Sequence, residues 1–263
     1  MYRTANRIHY LALLEDTNSK DLNQLIERAT SVYEDFNFAD KIEIIVFFTE
    51  RKYFTEYIRN EYGIEDEYSK EGRAIHYPYG AKSIIGVEAI KGLTEMLLTH
   101  ELGHAIEHHK LKSDITNYEG WKERRGYRLW SEFFCQAHAS MTQRTPEGND
   151  LYLTNFPMFL ENKGLFFDDK HIQQTFLYMI YSMADLHPYT LEKNTQAISY
   201  YLDRFEQDSS PEFMTVYETL YMELNSYLLR NGIFYNATHE YSFFERLEQY
   251  EQELTNFFAE NNQ

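Results

Sequence analysis

Glycine and proline are scarce in this chain, with 11 and 5 residues among 263. These two residues let a backbone reverse tightly. A sandwich of many short strands needs a turn signal about every ten residues, so that class is out of reach. Long helices need few reversals. The 23 Tyr and 19 Phe supply the aromatic surface that such helices bury against one another. The length allows a sizeable core, as one large domain or two lobes.

Charge narrows the partners. Against 25 Lys+Arg stand 42 Asp+Glu, a net charge of −17. No basic excess exists to displace counterions from phosphates, so nucleic acid is excluded as a partner, and an anionic membrane surface is disfavoured. Cys135 is the one cysteine, so no intrachain disulfide can form. Residues 1–20 carry no apolar segment followed by a small-residue cleavage site. No apolar run approaches the roughly 18 residues of a spanning helix. These features predict a cytoplasmic protein.

The periodicity changes along the chain. Residues 8–14 read as a strand. Residues 21–36 place Leu22, Leu25, Ile26, Ala29, Val32, Tyr33 and Phe36 at helical spacing. Residues 42–48 form a β-branched and aromatic run, which predicts a buried strand. A short helix over 52–62 should end at Gly63, and 64–72 is a polar loop. Strands over 73–77 and 82–87 flank a turn at Pro78-Tyr79-Gly80. A strong helix follows over 93–110, with Thr94 as its N-cap. Beyond it the chain reads as helix: 121–142 despite Gly126, then 170–186, 191–207, 211–231 and 240–258. Residues 145–150 are the clearest loop. The expectation is an α+β protein, with a small α/β lobe over 1–145 and a mostly helical lobe over 146–263, packed as one unit.

Within the predicted helix lies His100-Glu101-Leu102-Gly103-His104, the pattern H-E-x-x-H. Histidines four apart project from one helix face. Two imidazoles supply half of a tetrahedral zinc site. Glu101, next to the first histidine, reaches a water on the metal and suits a general base. With 10 His in the chain, about 0.04 occurrences are expected by chance. Leu97, Leu98, Leu102, Ala105 and Ile106 give the helix a core face. The plain alternative is a pair of ordinary helix histidines.

A catalytic zinc needs a third protein ligand. The extended form H-E-x-x-H-x-x-G-x-x-H fails, because Glu107 and Lys110 occupy its Gly and third His positions. The other form takes a carboxylate from a later helix. Glu132 fits best. It is a lone carboxylate in an apolar segment, 28 residues after His104, with Gln136 one turn on as a hydrogen-bonding neighbour. Ala139 continues that face. Glu119, Glu123 and His138 compete with Glu132, which could also be a solvated surface residue.

His100-Glu101-Leu102-Gly103-His104 followed by Glu132, Gln136 and Ala139 resembles the gluzincin metallopeptidases. Among them it is most similar to the compact intracellular ImmA/IrrE-like group, over roughly residues 75–141. Gln136 stands where that group usually has Asn or Asp, and Cys135 where a small residue is usual. The resemblance implies a zincin-type core, Zn2+ held by His100, His104 and Glu132, and hydrolysis of a peptide or protein substrate with Glu101 as general base. It also suggests a regulatory protease. An extended peptide is expected along the edge of strand 82–87. Tyr127, Arg128, His138 and His171 are candidates to stabilise the oxyanion, each more simply a packed or surface residue.

Other features have plain readings. His108 and His109 should sit at a helix C-terminus, where cationic histidine suits the dipole. Cys135 reads as a buried thiol. Phe176, Tyr178, Met179 and Tyr181 have core spacing. The rival to a peptidase is a catalytically silent, helical interaction or scaffold protein, or one whose helical half plugs the cleft.

Overall fold

The computed structural model describes residues 2–4, 7–13, 19–33, 36–65, 73–114, 124–142, 179–181, 183–184, 211–231 and 241–260. The predicted helix at 191–207, most of that at 170–186, the loop at 145–150, and Glu119, Glu123 and His171 lie outside these residues. The chain divides into two compact units, Met1–Ser113 and Asp114–Gln263. The division falls after Ser113, so the segment carrying Glu132 belongs to the second unit. The α+β class is as expected: a mixed sheet with helices in the first unit, and helices in the second.

The first unit runs β1 (Tyr2–Arg3), β2 (His9–Leu13), α1 (Ser19–Ser31), β3 (Ile42–Phe48), α2 (Arg51–Tyr62), β4 (Ala74–Tyr79), β5 (Lys82–Glu88) and α3 (Thr94–Asp114). The strand order is β1-β2-β3-β5-β4. β2, β3 and β5 are parallel, while β1 and β4 are antiparallel to their neighbours. Parallel neighbours need a crossover, which α1 provides between β2 and β3. α2 ends at Gly63, whose left-handed backbone (φ 66°) lets its own N–H reach the Arg59 carbonyl and the following Ile64 N–H reach that of Ile58.

Sheet alternation sorts the faces. Ile44, Val46 and Phe48 of β3, with Tyr77 and Ile84, pack against Phe54 and Ile58 of α2. Phe54 lies flat on Gly86, where a Cβ would collide with its ring. Ser83, Ile85 and Val87 therefore face the other way. α3 covers that second face, tied to it where His109 meets Ser83 (3.2 Å) and to α1's end where the Tyr33 hydroxyl donates to the Thr99 carbonyl (2.9 Å). Leu98, Leu102, Ala105 and Ile106 form its buried stripe.

Two expectations change here. β5 is hydrogen-bonded on both sides, so it has no edge to offer a peptide. β4 is the outer strand among the described residues. Thr94 does not cap α3 forward: its hydroxyl bonds back to the Ile90 carbonyl and accepts the Ile90 N–H (2.8 and 2.9 Å).

The second unit contains α4 (Arg125–Thr142), α5 (Pro211–Asn231) and α6 (Tyr241–Glu260). Trp130 is fully buried among Phe133, Phe134, Tyr227 and Phe243, and the Tyr227 and Phe243 rings stack at 4.0 Å. Gly126 lets α4 meet α6 backbone to backbone, since a Cβ there would run into the Phe244 carbonyl. Its N–H donates to Glu248 (3.1 Å), which also pairs with Arg124 through two bonds of 3.2 and 2.8 Å.

Candidate metal centre

α3 places the histidine pair as its spacing predicts. Nε2 of His100 and Nε2 of His104 lie 3.1 Å apart. Two nitrogen ligands on one tetrahedral zinc, each about 2.0–2.1 Å from it, are roughly 3.3 Å apart. The two nitrogens therefore converge on one point at a separation a shared metal requires. On the far side of the His104 ring, the Glu107 carboxylate stands 3.5 Å from Nδ1. That is the arrangement in which a carboxylate fixes the tautomer of a ligating histidine and leaves Nε2 for the metal. Glu107 was set aside in the sequence as a failed Gly position; its i,i+3 distance from His104 is the signal that could have found it. Glu101 is buried, at 8% exposure.

α3 does not stop at Lys110 but runs on to Asp114. His108 and His109 are therefore not at a helix terminus, and the dipole reading gives way to tertiary contacts. The ring of His76, on β4, lies beside both His104 (centroids 6.5 Å) and His108 (5.9 Å). Its Nε2 is 2.7 Å from the hydroxyl of Ser83. Burial first, then the imidazoles of His104, His108 and His109, hold the pKa of His76 well below the ordinary histidine range. The reading of the sequence missed His76, which sits outside any motif.

In the second unit, Glu132 is half-buried on α4 between buried Ser131 and Phe133. The Tyr181 hydroxyl donates to its Oε2 at 2.6 Å. Tyr181, read in the sequence as core aromatic, thus holds the candidate ligand carboxylate. Gln136 is 5% exposed, and its amide donates to the Ser140 hydroxyl (3.3 Å). Tyr127 is buried edge-on to Phe244. His138 is fully buried, its Nδ1 donating to the Phe134 carbonyl (2.7 Å), and burial pulls its pKa down to about 4. Arg128 is exposed. Cys135 is a buried free thiol.

No helix among the described residues is long and apolar enough to cross a membrane. Comparison with protein families, with curated proteins and with solved structures finds no match.

Proposed function

We propose that this chain is a zinc-dependent peptidase with a zincin-like first unit, acting on a peptide or protein substrate. The observation that carries the reading is the 3.1 Å convergence of His100 and His104 Nε2, with the buried Glu101 beside the first of them. His100, His104 and Glu132 would hold the ion. Bound zinc would supply Lewis acidity, drawing the pKa of a water toward 7 and polarising the substrate carbonyl.

The protein's own groups do the rest. Glu107 orients His104, and Tyr181 orients Glu132. Glu101 accepts a proton from the water as its oxygen bonds to the carbonyl carbon. It then returns that proton to the leaving nitrogen as the C–N bond breaks. β4, the outermost strand among the described residues, offers an edge to which an extended peptide can add as a further strand. The single cysteine suits the reducing cytoplasm.

Glu101→Gln tests this reading. The variant should keep its metal and lose peptide hydrolysis, because an amide cannot take the proton. A Glu101→Gln protein that cleaves peptides as fast as wild type would end the reading.

A further inference from the structure

Three side chains and one carbonyl outside the candidate metal centre form a closed chain on the α3 face of the sheet. Lys41 contributes its carbonyl oxygen, Ser83 its hydroxyl and backbone N–H, and His109 and His76 their Nε2 atoms. The Ser83 N–H donates to the Lys41 carbonyl (2.8 Å). Nε2 of His109 is 3.1 Å from the same carbonyl and 3.2 Å from Ser83 Oγ. A carbonyl only accepts, so His109 Nε2 carries its hydrogen. The Ser83 hydroxyl cannot donate to a nitrogen already protonated. Its hydrogen is left for Nε2 of His76, 2.7 Å away. A neutral imidazole accepting at Nε2 carries its hydrogen at Nδ1. The Lys41 carbonyl thus sets the tautomer of His76 through two side chains.

The direction of that Nδ1–H follows from the register. His76 pairs with Ile85 on β5, and Ser83 is the diagonal neighbour two residues earlier on the same face. Nε2 therefore points toward β5. The two ring nitrogens lie on different sides of the imidazole, so Nδ1 turns away from β5. The side of β4 away from β5 has no strand partner among the described residues. The ring also lies beside His104. A donor fixed by hydrogen bonding to Ser83, on the strand that is outermost among the described residues and next to a candidate metal ligand, is placed for an oxygen of a chain added to that edge.

We propose that His76 is a catalytic hydrogen-bond donor, giving its Nδ1–H to the scissile carbonyl oxygen of a peptide laid along β4, with Ser83 as the positioning residue that fixes its tautomer. The inference rests on the peptidase reading and adds a substrate-facing group to it. A neutral donor preset in this way stabilises the oxygen as negative charge develops, with no reorganisation at the moment of reaction.

The test has two arms on the full chain. In protein labelled with 15N-histidine, ring nitrogen shifts report the tautomer without any substrate. His76 should be protonated at Nδ1 in wild type and mixed in Ser83→Ala, which is smaller by one buried oxygen and keeps the fold. A wild-type ring protonated at Nε2 overturns the inference. In the second arm, zinc content and peptide hydrolysis are measured for His76→Phe, His76→Gln and His76→Asn. The Asn amide nitrogen occupies the position of Nδ1 and the Gln amide nitrogen that of Nε2. His76→Phe and His76→Gln should keep zinc and KM but lose kcat about 100-fold, while His76→Asn recovers at least part of it. An active wild type matched in kcat by zinc-loaded His76→Phe overturns the inference and leaves the peptidase reading intact. A zinc-loaded wild type with no peptide hydrolysis defeats the peptidase reading and this inference with it.

Discussion

The hydroxyl of Tyr181 donates to Oε2 of Glu132 at 2.6 Å. If Glu132 ligates zinc, removing this bond loosens the ligand. Tyr181→Phe should lower zinc affinity about tenfold in a chelator competition and leave helix content unchanged. Unchanged affinity would separate Tyr181 from the metal centre.

Glu107 stands to His104 as Tyr181 stands to Glu132. Its carboxylate is buried at 3% exposure and lies 3.5 Å from Nδ1. Glu107→Gln keeps the size and removes the charge, so His104 becomes a weaker ligand. Zinc affinity should fall by about tenfold. The same titration checks it, and a variant that binds as tightly as wild type would count against the orienting role.

Gly126 marks the closest approach in the second unit. Any Cβ there meets the Phe244 carbonyl, a backbone atom that cannot swing aside. Gly126→Ala would gain helix propensity in an isolated helix, yet here it should destabilise the second unit by about 1–3 kcal/mol. Urea unfolding followed by tryptophan fluorescence measures this, since Trp130 is buried in that unit. A stabilised variant would show that α4 and α6 do not meet as described.

His138 gives the second unit a pH dependence of known sign. Its folded pKa is near 4 because burial disfavours the cation, against about 6.5 in an unfolded chain. Between these values the unfolded state binds the extra proton, so stability is full above about pH 6.5 and is lost as pH falls toward 4. The loss from this one fully buried group is about 3 kcal/mol. Urea midpoints at pH 7 and pH 5 should differ in that direction, and His138→Leu should flatten the difference. An equal slope in the variant would assign the dependence to other groups.

Local signals made much of the first unit legible. β3 spans the residues its β-branched run predicts, and Gly63 ends α2 as its left-handed backbone allows. The pairing order was not legible, because a hairpin can present either strand outward, and β4 instead of the expected strand 82–87 is outermost among the described residues. Pro78 held the missing information. It lacks an N–H and is confined to edge strands, and it sits inside β4 instead of in the turn. The His100–His104 pair was visible because it is local in sequence. His76, Ser83 and Tyr181 were not, since their roles come from neighbours 7 to 49 residues away, which one chain's periodicity does not encode. Glu107 lay within reach of the sequence, one turn from His104, but the motif template drew attention to the wrong property of that position.

His100 and His104 are proposed to share one zinc ion. Metal content of the purified full chain after exhaustive dialysis tests it most directly, with wild type and His100→Ala measured side by side. One zinc per chain is expected in wild type, with a large loss in His100→Ala. Wild-type protein without stoichiometric zinc, or His100→Ala that retains it in full, would rule out a shared ion.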